Sequence, residues 1–277
     1  EQAATLPGVR LARQGFGAAQ ADLRIRGAPF QAAGFAVQGL PLVNPQTEHF
    51  HADLAIPPLW TASPALLTGV DQFRAFSGHA AGTIAVDLAA PEEHRAADLT
   101  AGPNGLLAAA GSAGWRREAA NGGTWGGHVA LARDQINRTD GYSDNALSRW
   151  RGSALLQGTD AARAVRATLL GTHAVRRFGA RGFYGASPRF PAEEAVAERL
   201  LLGSLQPLDT DHPGRITAAW QQTDDRYWLD RHDQDLYANR TRSVFYALHA
   251  DTAARIAPQS RLWMRFDAAE ERIDGRY

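Results

Sequence analysis

The sequence predicts a mostly β protein in two parts, a small α/β module over residues 1–91 and antiparallel strands over residues 92–277. Up to about residue 91, short apolar segments are separated by Gly, Pro and Asn, which is typical of short strands joined by turns. The later apolar segments, of about 9 to 15 residues, alternate apolar and polar side chains. Such regular alternation favours an all-β sandwich or a barrel.

Three short strands are predicted in the N-terminal part, at residues 23–26, 35–37 and 83–86. They are rich in apolar residues, and glycines near the first two allow the chain to bend. Residues 6–11 are predicted to turn into a further strand, because Pro7 disfavours a helical residue before it.

Nine longer strands are predicted in the C-terminal part. They cover residues 93–101, 106–117, 124–135, 146–156, 163–178, 195–205, 215–229, 241–250 and 262–269. Short turns such as residues 158–160 alternate with longer excursions such as residues 136–142. Outer-membrane barrels have this alternation, with short turns at one end and long loops at the other.

The segment 215–222 shows the expected two faces of such a strand. Ile216, Ala218 and Trp220 share one face. Thr217, Ala219 and Gln221 share the other. One face is apolar and the other is largely polar. A wall between lipid and water requires this pattern, and so does any sheet with one solvated side.

Composition excludes several classes of protein. The 29 basic residues, all of them arginine, balance 29 acidic residues. The protein therefore has no net positive charge to attract nucleic acid, and nucleic acid is not expected as a partner. The absence of cysteine excludes disulfides, thiolate metal sites and cysteine nucleophiles. No apolar run approaches the roughly 18 residues of a spanning helix. A membrane role would therefore require strands, or attachment at the surface.

The sequence predicts no enzyme, no catalytic residue, no cofactor and no metal site. Glu193 and Glu194 are adjacent, as are Glu92 and Glu93, so within a strand each pair faces opposite sides and both pairs are expected to be surface charges. No serine lies in a G-x-S-x-G elbow. The glycine-rich residues 121–127 lack the lysine of a phosphate-binding loop.

Five segments in order carry a resemblance to the plug domain of TonB-dependent outer-membrane receptors. They are Leu6-Pro7-Gly8-Val9, Ile25-Arg26-Gly27, Gly39-Leu40-Pro41-Leu42, Asn44-Pro45-Gln46-Thr47 and Gly82-Thr83-Ile84. Residues 137–145 and 178–185 also resemble loops of the receptor barrel. The matched plug-motif positions are Arg26, Gly27, Gly39, Asn44, Pro45, Gln46, Thr47 and Gly82.

The resemblance implies an N-terminally truncated plug domain at 1–91, followed at 92–277 by about nine strands of a transmembrane β-barrel that has 22 strands in the family. A barrel of eight or nine strands has no room for such a plug, so the chain is expected to be a piece of a longer protein. Two positions depart from the family. Gln38 replaces an Asp, and Thr68 replaces an Arg, which leaves Arg26 to pair with carboxylates of the barrel.

The implied function is import of a bulky, scarce nutrient, such as a ferric siderophore or cobalamin, across the outer membrane of a Gram-negative bacterium. The implied partners are the TonB energy-transducing complex, a metal chelate or other small ligand, and outer-membrane lipid. Ligand would move the plug by binding one of its conformations more tightly. The candidate ligand-binding residues are Phe30, Gln31, Gln46, Glu48, His49 and His51.

Two other classes remain open from the sequence. One is a soluble or surface-exposed β-rich binding module, such as a lectin-like sandwich, without transport. The other is a secreted β-sheet hydrolase, which requires two inward-facing carboxylates on neighbouring strands. His49 and His51 could also face one side of an extended segment as metal ligands do, although a hydrogen-bonding role is favoured.

Overall fold

The structure, a computed structural model, describes residues 5–14, 19–44, 55–74, 79–120, 122–137, 146–160, 164–208, 213–257 and 260–276. Strands dominate these residues. The only helices among them are short 3₁₀ turns at Phe30–Ala32, Pro58–Trp60, Gly69–Arg74, Pro103–Gly105 and Phe183–Gly185. The α component of the predicted N-terminal α/β module is therefore not found in the described part. No helix in the described ranges has the length and apolar character needed to cross a membrane.

The N-terminal part contains a hairpin and a small sheet. Strands β1 (Val9–Gln14) and β2 (Gln20–Ile25) pair antiparallel. The sheet has the order β4-β3-β6-β5. Its strands are β3 (Ala33–Val37), β4 (Leu40–Leu42), β5 (Ala65–Leu67) and β6 (Gly82–Val86). The predicted short strands correspond to β2, β3 and β6, and β3 and β6 run parallel.

The C-terminal part forms one antiparallel sheet in which nine strands follow chain order from β7 to β15. The strands are β7 (His94–Gly102), β8 (Leu106–Glu118), β9 (Thr124–Ile136), β10 (Leu147–Asp160), β11 (Val165–Gly179), β12 (Glu193–Pro207), β13 (Gly214–Trp228), β14 (Ala238–Ala257) and β15 (Ser260–Arg276). All nine predicted strands are confirmed. Several are longer than predicted, because their polar ends still pair with a neighbour.

The connections of this sheet alternate in length, as predicted. Those at one end are short, at residues 119–123, 161–164, 208–213 and 258–259. The other end carries residues 137–146, 180–192 and 229–237, together with the short turn after β7. We call these ends the short-loop end and the long-loop end.

Alternation along each strand gives the sheet two faces with different surroundings. The face that packs against the N-terminal part is the inner face. Its residues Leu155, Leu170 and Leu202 are fully buried and share one apolar core with Ile25, Trp60 and other N-terminal residues. Each such side chain contributes about 1.5 to 3 kcal/mol on burial. The two parts are thus held together by a continuous core.

The outer face is apolar and uncovered by any other described element. We call its central band the apolar belt. It comprises Val129, Leu156, Leu169, Leu201, Leu205, Ile216, Tyr246, Leu248 and Phe266, all between 40% and 59% exposed. In β13, Ile216 and Ala218 face outward while Thr217 and Ala219 are buried inward, so the predicted faces of this strand are confirmed.

The strands of the long sheet are longer than a strand needs to be to cross the apolar part of a membrane. Strands β8 to β15 have 13 to 20 residues, whereas a tilted strand crosses the apolar part of a membrane with about 9 to 11. At the long-loop end the additional residues make the outer face charged, for example at Arg199, Asp224 and Arg242. Strand β14 also extends at the short-loop end, to Ala257.

Candidate functional site

The contact between the N-terminal sheet and the inner face is the candidate functional site. Its centre is the tight turn between β3 and β4, formed by Gln38 and Gly39. Both residues have left-handed backbone, with φ of 53° and 77°. Positive φ at both central residues is the geometry of a two-residue hairpin turn whose twist matches the flanking strands. Asp and Asn adopt this conformation more readily than Gln, so Gln38, which replaces the Asp of the motif that the chain resembles, occupies a strained position.

We call the nine-stranded sheet β7 to β15 the wall. The turn is fixed to the wall by a buried hydrogen bond. The hydroxyl of Thr217, on β13, donates to the backbone carbonyl of Gln38 at 2.9 Å. Thr217 Oγ1 also lies 3.3 Å from the hydroxyl of Ser204 on β12. A buried carbonyl without a partner would cost about 1 to 3 kcal/mol. Thr217 therefore favours the docked position of the turn.

A histidine lies directly against the other turn residue. A Cβ atom added at Gly39 would lie 3.2 Å from Nε2 of His249, which is 1% exposed on β14. Nδ1 of His249 lies 2.6 Å from a carboxylate oxygen of Asp267 on β15, and Nε2 lies 3.3 Å from Asp251. These contacts fix the imidazole ring in orientation. Only glycine satisfies both the backbone conformation and the close approach at position 39.

An ion pair borders the same turn. Nη1 of Arg215, on β13, lies 2.7 Å from Asp87, which directly follows β6. Arg215 is mostly buried, whereas the Asp87 side chain is 57% exposed. A pair with this exposure contributes at most about 1 kcal/mol. Its value is positional, because it links the end of the N-terminal sheet to the wall.

Nearer β7, an aromatic contact joins the two parts. Trp60 is fully buried, and its ring stacks on His128 of β9 with centroids 5.2 Å apart. The ring of His94 lies 5.0 Å from that of His128. The hydroxyl of Ser153, on β10, donates a hydrogen bond to the carbonyl of Ala55 in the same segment.

A cavity of about 300 Å³ lies beside this contact, between the segment 55–59 and the inner faces of β7 to β10. Its wall side is lined largely by small residues, among them Ala96, Ala110 and Ala132. Asp98 and Arg151 supply its charges. The cavity is open space along the boundary between the two parts.

A second polar cluster lies on the inner face at the long-loop end. Tyr184, in the 3₁₀ turn after β11, donates a hydrogen bond from its hydroxyl to Glu194 at 2.7 Å. Its ring packs edge-on against Tyr227 on β13, 5.7 Å between centroids. Burial of the hydroxyl, reinforced by the Glu194 carboxylate, raises the pKa of Tyr184. The connection 180–192 is thereby tied to the inner face.

Replacing Tyr184 by Phe is expected to loosen this connection by about 1 kcal/mol, the net value of one hydrogen bond. Backbone amides of Phe183 and Ala186, which bond within the turn, should exchange with solvent about five-fold faster in hydrogen-exchange measurements. Tyr237→Phe is the matched control, since Tyr237 is similarly exposed in the connection 229–237. Equal exchange at Phe183 in both variants would contradict a tie through Glu194.

The cluster corrects one sequence prediction. Glu193 and Glu194 do face opposite sides, and Glu193 pairs with Arg177 on the outer face. Glu194, however, is 1% exposed rather than a surface charge. It hydrogen-bonds Asp225 on the neighbouring strand. These are inward carboxylates of the kind that the hydrolase hypothesis requires, but both are buried, and Glu194 is hydrogen-bonded to Tyr184 and Asp225.

The predicted plug-motif residues are spread over the N-terminal part. Arg26 and Gly27 form the turn after β2 with φ of 52° and 79°. The Arg26 side chain is exposed and makes no ion pair with any described carboxylate, so the expected pairing with the wall is not observed. Asn44 is buried after β4, and Gly82 begins β6 beside the carbonyl of Leu67.

The predicted ligand-binding residues are only partly within the described chain. Phe30 and Gln31 lie together in the 3₁₀ turn Phe30–Ala32, half-buried and exposed respectively. The other predicted ligand-binding residues, Gln46, Glu48, His49 and His51, lie outside the described residues, as do the plug-motif residues Pro45 and Thr47. Among the residues that are described, no three His, Asp or Glu side chains form a group suited to a metal ion.

Sequence reasoning missed the residues that dock the two parts. Thr217 was identified only as a member of the polar face of its strand, and Asp87, Arg215 and His249 were not singled out. The one available signal was Gly39 in its hairpin motif, since an obligatory glycine indicates close approach by another group.

This architecture, a small β module packed on the inner face of a long antiparallel sheet with an apolar outer face, also occurs as part of solved outer-membrane proteins. It resembles the siderophore receptor PiuA from Acinetobacter baumannii, with a TM-score of 0.65 and 13% identity over 98% of this chain and 42% of that one. It also resembles the copper transporter OprC, with a TM-score of 0.70 and 15% identity over 98% and 43%.

A third similar structure is the alcaligin outer-membrane receptor FauA from Bordetella pertussis, with a TM-score of 0.66 and 14% identity over 99% of this chain and 44% of that one. The chain thus spans less than half the length of these structures, and at this identity the likeness concerns the fold. Neither a family model nor a curated protein sequence matches the chain.

The fold does not favour a lectin-like sandwich. A sandwich packs two sheets of comparable extent face to face, whereas β7 to β15 form one sheet. Among the described residues, its outer face is covered by no second sheet.

Proposed function

We propose that the chain forms part of a TonB-dependent importer in the outer membrane of a Gram-negative bacterium. Residues 1–91 act as the plug and residues 92–277 as part of the barrel wall, completed by further strands. The observation that carries this proposal is the contrast between the two faces of the sheet. The inner face is closed by the N-terminal part, while the outer face presents an exposed apolar belt.

The cargo in this proposal is a bulky scarce nutrient, with a metal chelate such as a ferric siderophore favoured over cobalamin. One of the similar structures, PiuA, is a siderophore receptor by name, another is the outer-membrane receptor for alcaligin, and a third is a copper transporter. Phe30 and Gln31, with residues 46, 48, 49 and 51, are the proposed contacts of the plug with ligand. The energy for import comes from the TonB complex.

Gating in this proposal is the separation of the plug from the wall at the β3–β4 turn. The contacts to be broken are few and polar, the hydrogen bond from Thr217 and the ion pair between Asp87 and Arg215. A ligand that binds the separated state more tightly shifts the equilibrium toward it by that difference in affinity. The apolar core between the two parts opposes complete release.

Uptake of radioactive iron, supplied as a panel of hydroxamate, catecholate and carboxylate chelates, tests the function in cells that make the intact protein. The expected result is accumulation of one class of chelate that stops when the proton gradient is dissipated. Binding without accumulation would contradict import and would support a surface-binding module. Labelled cobalamin in a parallel arm distinguishes the second cargo.

A charge exchange tests the gating contact. Asp87→Arg places two cations together, and we expect it to weaken docking by about 1 kcal/mol, a roughly five-fold rise in the separated population. Cells that produce this variant should become more sensitive to large antibiotics that the outer membrane normally excludes. The double variant Asp87→Arg with Arg215→Asp restores the pair and should restore resistance. Equal sensitivity of the single and double variants would contradict a role for this pair.

A further inference from the structure

Near the short-loop end, two histidines and a glycine lie in one transverse row on the inner face of the wall. His94 on β7 pairs directly with Gly114 on β8, and Gly114 pairs directly with His128 on β9. The backbones of the two histidines are therefore two strand spacings apart, about 9.6 Å. Their ring centroids, however, are only 5.0 Å apart. Both imidazole rings thus lean toward each other over the glycine.

The glycine at the centre of this row allows three donor atoms to converge. An ideal Cβ atom on Gly114 would lie 2.6 Å from Nδ1 of His94 and 2.6 Å from Nδ1 of His128. It would lie closer still to the backbone carbonyl oxygen of Glu92. Two ring nitrogens and a carbonyl oxygen therefore surround one point beside the strand, and any larger residue at position 114 would force them apart.

The two ring nitrogens are suited to act as ligands. His128 is 3% exposed, and its Nδ1 has no hydrogen-bond partner among the described atoms. A buried polar atom in this condition lowers stability, and a ligand at the point of convergence would remove that cost. Nε2 of His94 lies 3.2 Å from the hydroxyl of Ser112. When Nε2 donates to this hydroxyl, Nδ1 of His94 presents its lone pair to the same point.

The spacing and chemistry of the donors fit a metal ion. Nδ1 of His94 lies 3.3 Å from the carbonyl oxygen of Glu92, and two ligands of a tetrahedral zinc ion are about 3.4 Å apart. Imidazole nitrogen is a preferred ligand of Zn²⁺, Cu²⁺ and Ni²⁺. A metal-bound imidazole usually donates from its other nitrogen to a neighbouring oxygen, which Ser112 supplies to His94. The ion would lie further from Gly114 than a Cβ does, on the side of the three donors.

We propose that Nδ1 of His94, Nδ1 of His128 and the carbonyl oxygen of Glu92 bind a divalent transition-metal ion of the class that prefers imidazole. Glu92 is exposed and His94 is half-buried, so the ion reaches them from the surface at the short-loop end. Glu92 lies in the connection between β6 and β7, and Trp60 of the N-terminal part stacks on His128. The ion therefore ties this connection to the wall beside the aromatic contact.

This inference goes beyond the proposed function, because the protein's own groups hold this ion and no chelate carries it. Titration of the intact protein with Cu²⁺ tests it, with protein that has no polyhistidine tag and has been stripped of metal by a chelator. Calorimetry should show one equivalent bound. The electron paramagnetic resonance spectrum of that equivalent should show splitting from two nitrogens, and excess Zn²⁺ should displace it.

His94→Gln removes one of the two nitrogen ligands. It should weaken Cu²⁺ binding about ten-fold or more, since even the loss of a group that only orients a ligand costs that much. The remaining signal should show splitting from one nitrogen. His94 is half-buried at the start of β7, so the variant is expected to fold, and an unchanged thermal midpoint of the metal-free protein checks this.

Two further variants test the geometry of the site. Gly114→Ala keeps all three donors but places a methyl group where they converge, so it should also lose binding. His173→Gln is the matched control, since Nδ1 of His173 lies 3.2 Å from the carbonyl oxygen of Glu198. The cross-strand neighbours of His173 are Gly152 and Arg199 rather than a second histidine. The control should bind Cu²⁺ as the parent protein does.

Three outcomes would overturn the proposal. The first is a spectrum of the parent protein without splitting from two nitrogens. The second is equal affinity of the parent protein and His94→Gln, which would place the ion elsewhere in the chain. The third is an equal loss of affinity in His94→Gln and His173→Gln. The His94 result decides the matter even where Gly114→Ala does not fold.

Discussion

Replacing Gly39 by Ala is expected to detach the β3–β4 turn from the wall. A left-handed backbone costs an L-residue about 1 to 2 kcal/mol, and the added methyl group lies 3.2 Å from Nε2 of His249. That ring cannot move freely, because Asp267 and Asp251 fix it. Overpacking against a fixed group adds about 1 to 3 kcal/mol. Amides of β3, β4 and β6 should exchange faster, and the thermal midpoint of the intact protein should fall.

Gly27→Ala is the matched control. Gly27 has nearly the same backbone, with φ of 79°, but a Cβ there would meet nothing within 4 Å. The control should lose only the backbone contribution and should leave exchange in β4 unchanged. If both variants lose equal stability, the contact with His249 contributes nothing to docking. The Gly39 variant is expected to lose more stability than the Gly27 variant. If this additional loss disappears when His249→Ala is also present, it is due to the contact between position 39 and His249.

The alternation of apolar and polar side chains along each strand, which has a period of two residues, determined how much of the fold could be predicted. All nine strands of the long sheet were found because one face of each is apolar and each is followed by polar residues or glycine. Their ends were missed where pairing continues through charged residues, as in β14 up to Ala257 and β15 up to Arg276. Local sequence does not record a partner strand, so the last paired residues were assigned to connections.

The docking site could not be predicted in the same way. Asp87 and Arg215 are 128 residues apart in sequence, and Gln38 and Thr217 are 179 apart. The sequence around each of these residues does not indicate which residue it will contact. A charged residue next to a strand is ordinarily solvated, so no ion pair was expected there. Arg26 was assigned the ion pair from the resemblance alone, whereas the structure places the arginine on the wall and the carboxylate on the N-terminal part. The ion pair joins the N-terminal part to the long sheet as expected, but the positive and negative partners are exchanged between the two.

Glu194 illustrates a related difficulty. Alternation correctly separated it from Glu193, but it could not tell which face would be covered. Burial of Glu194 depends on Tyr184, which returns from the connection 180–192 to donate its hydroxyl. Connections between strands have no period to follow, so their contacts with the inner face become visible only in the folded chain.

Replacing Leu201 by Arg is expected to reduce the stability of the membrane-inserted protein by more than about 1 kcal/mol, because an arginine on the lipid face costs about 2 to 4 kcal/mol at the bilayer midplane and less toward its edges, and Leu201 lies one outward position from Arg199. The measurement is the free energy of folding into phosphatidylcholine vesicles, or the yield of heat-modifiable protein in the outer membrane. Leu236→Arg is the matched control, because Leu201 is 50% and Leu236 53% exposed while Leu236 lies in the connection 229–237.

Comparing the Leu201→Arg and Leu236→Arg variants distinguishes a membrane wall from a soluble module. The two side chains have nearly equal exposed fractions, so the effect of arginine on stability differs between them only if one of them faces lipid. In water, both substitutions are surface changes within about 0.5 kcal/mol of neutral, and an added charge improves solubility. In lipid, only Leu201→Arg places a guanidinium in hydrocarbon, since its outward neighbours Gly171 and Trp220 leave no polar partner beside it. Equal stability of the two variants would contradict a lipid-facing belt, and with it the assignment of the outer face on which the proposal of import depends.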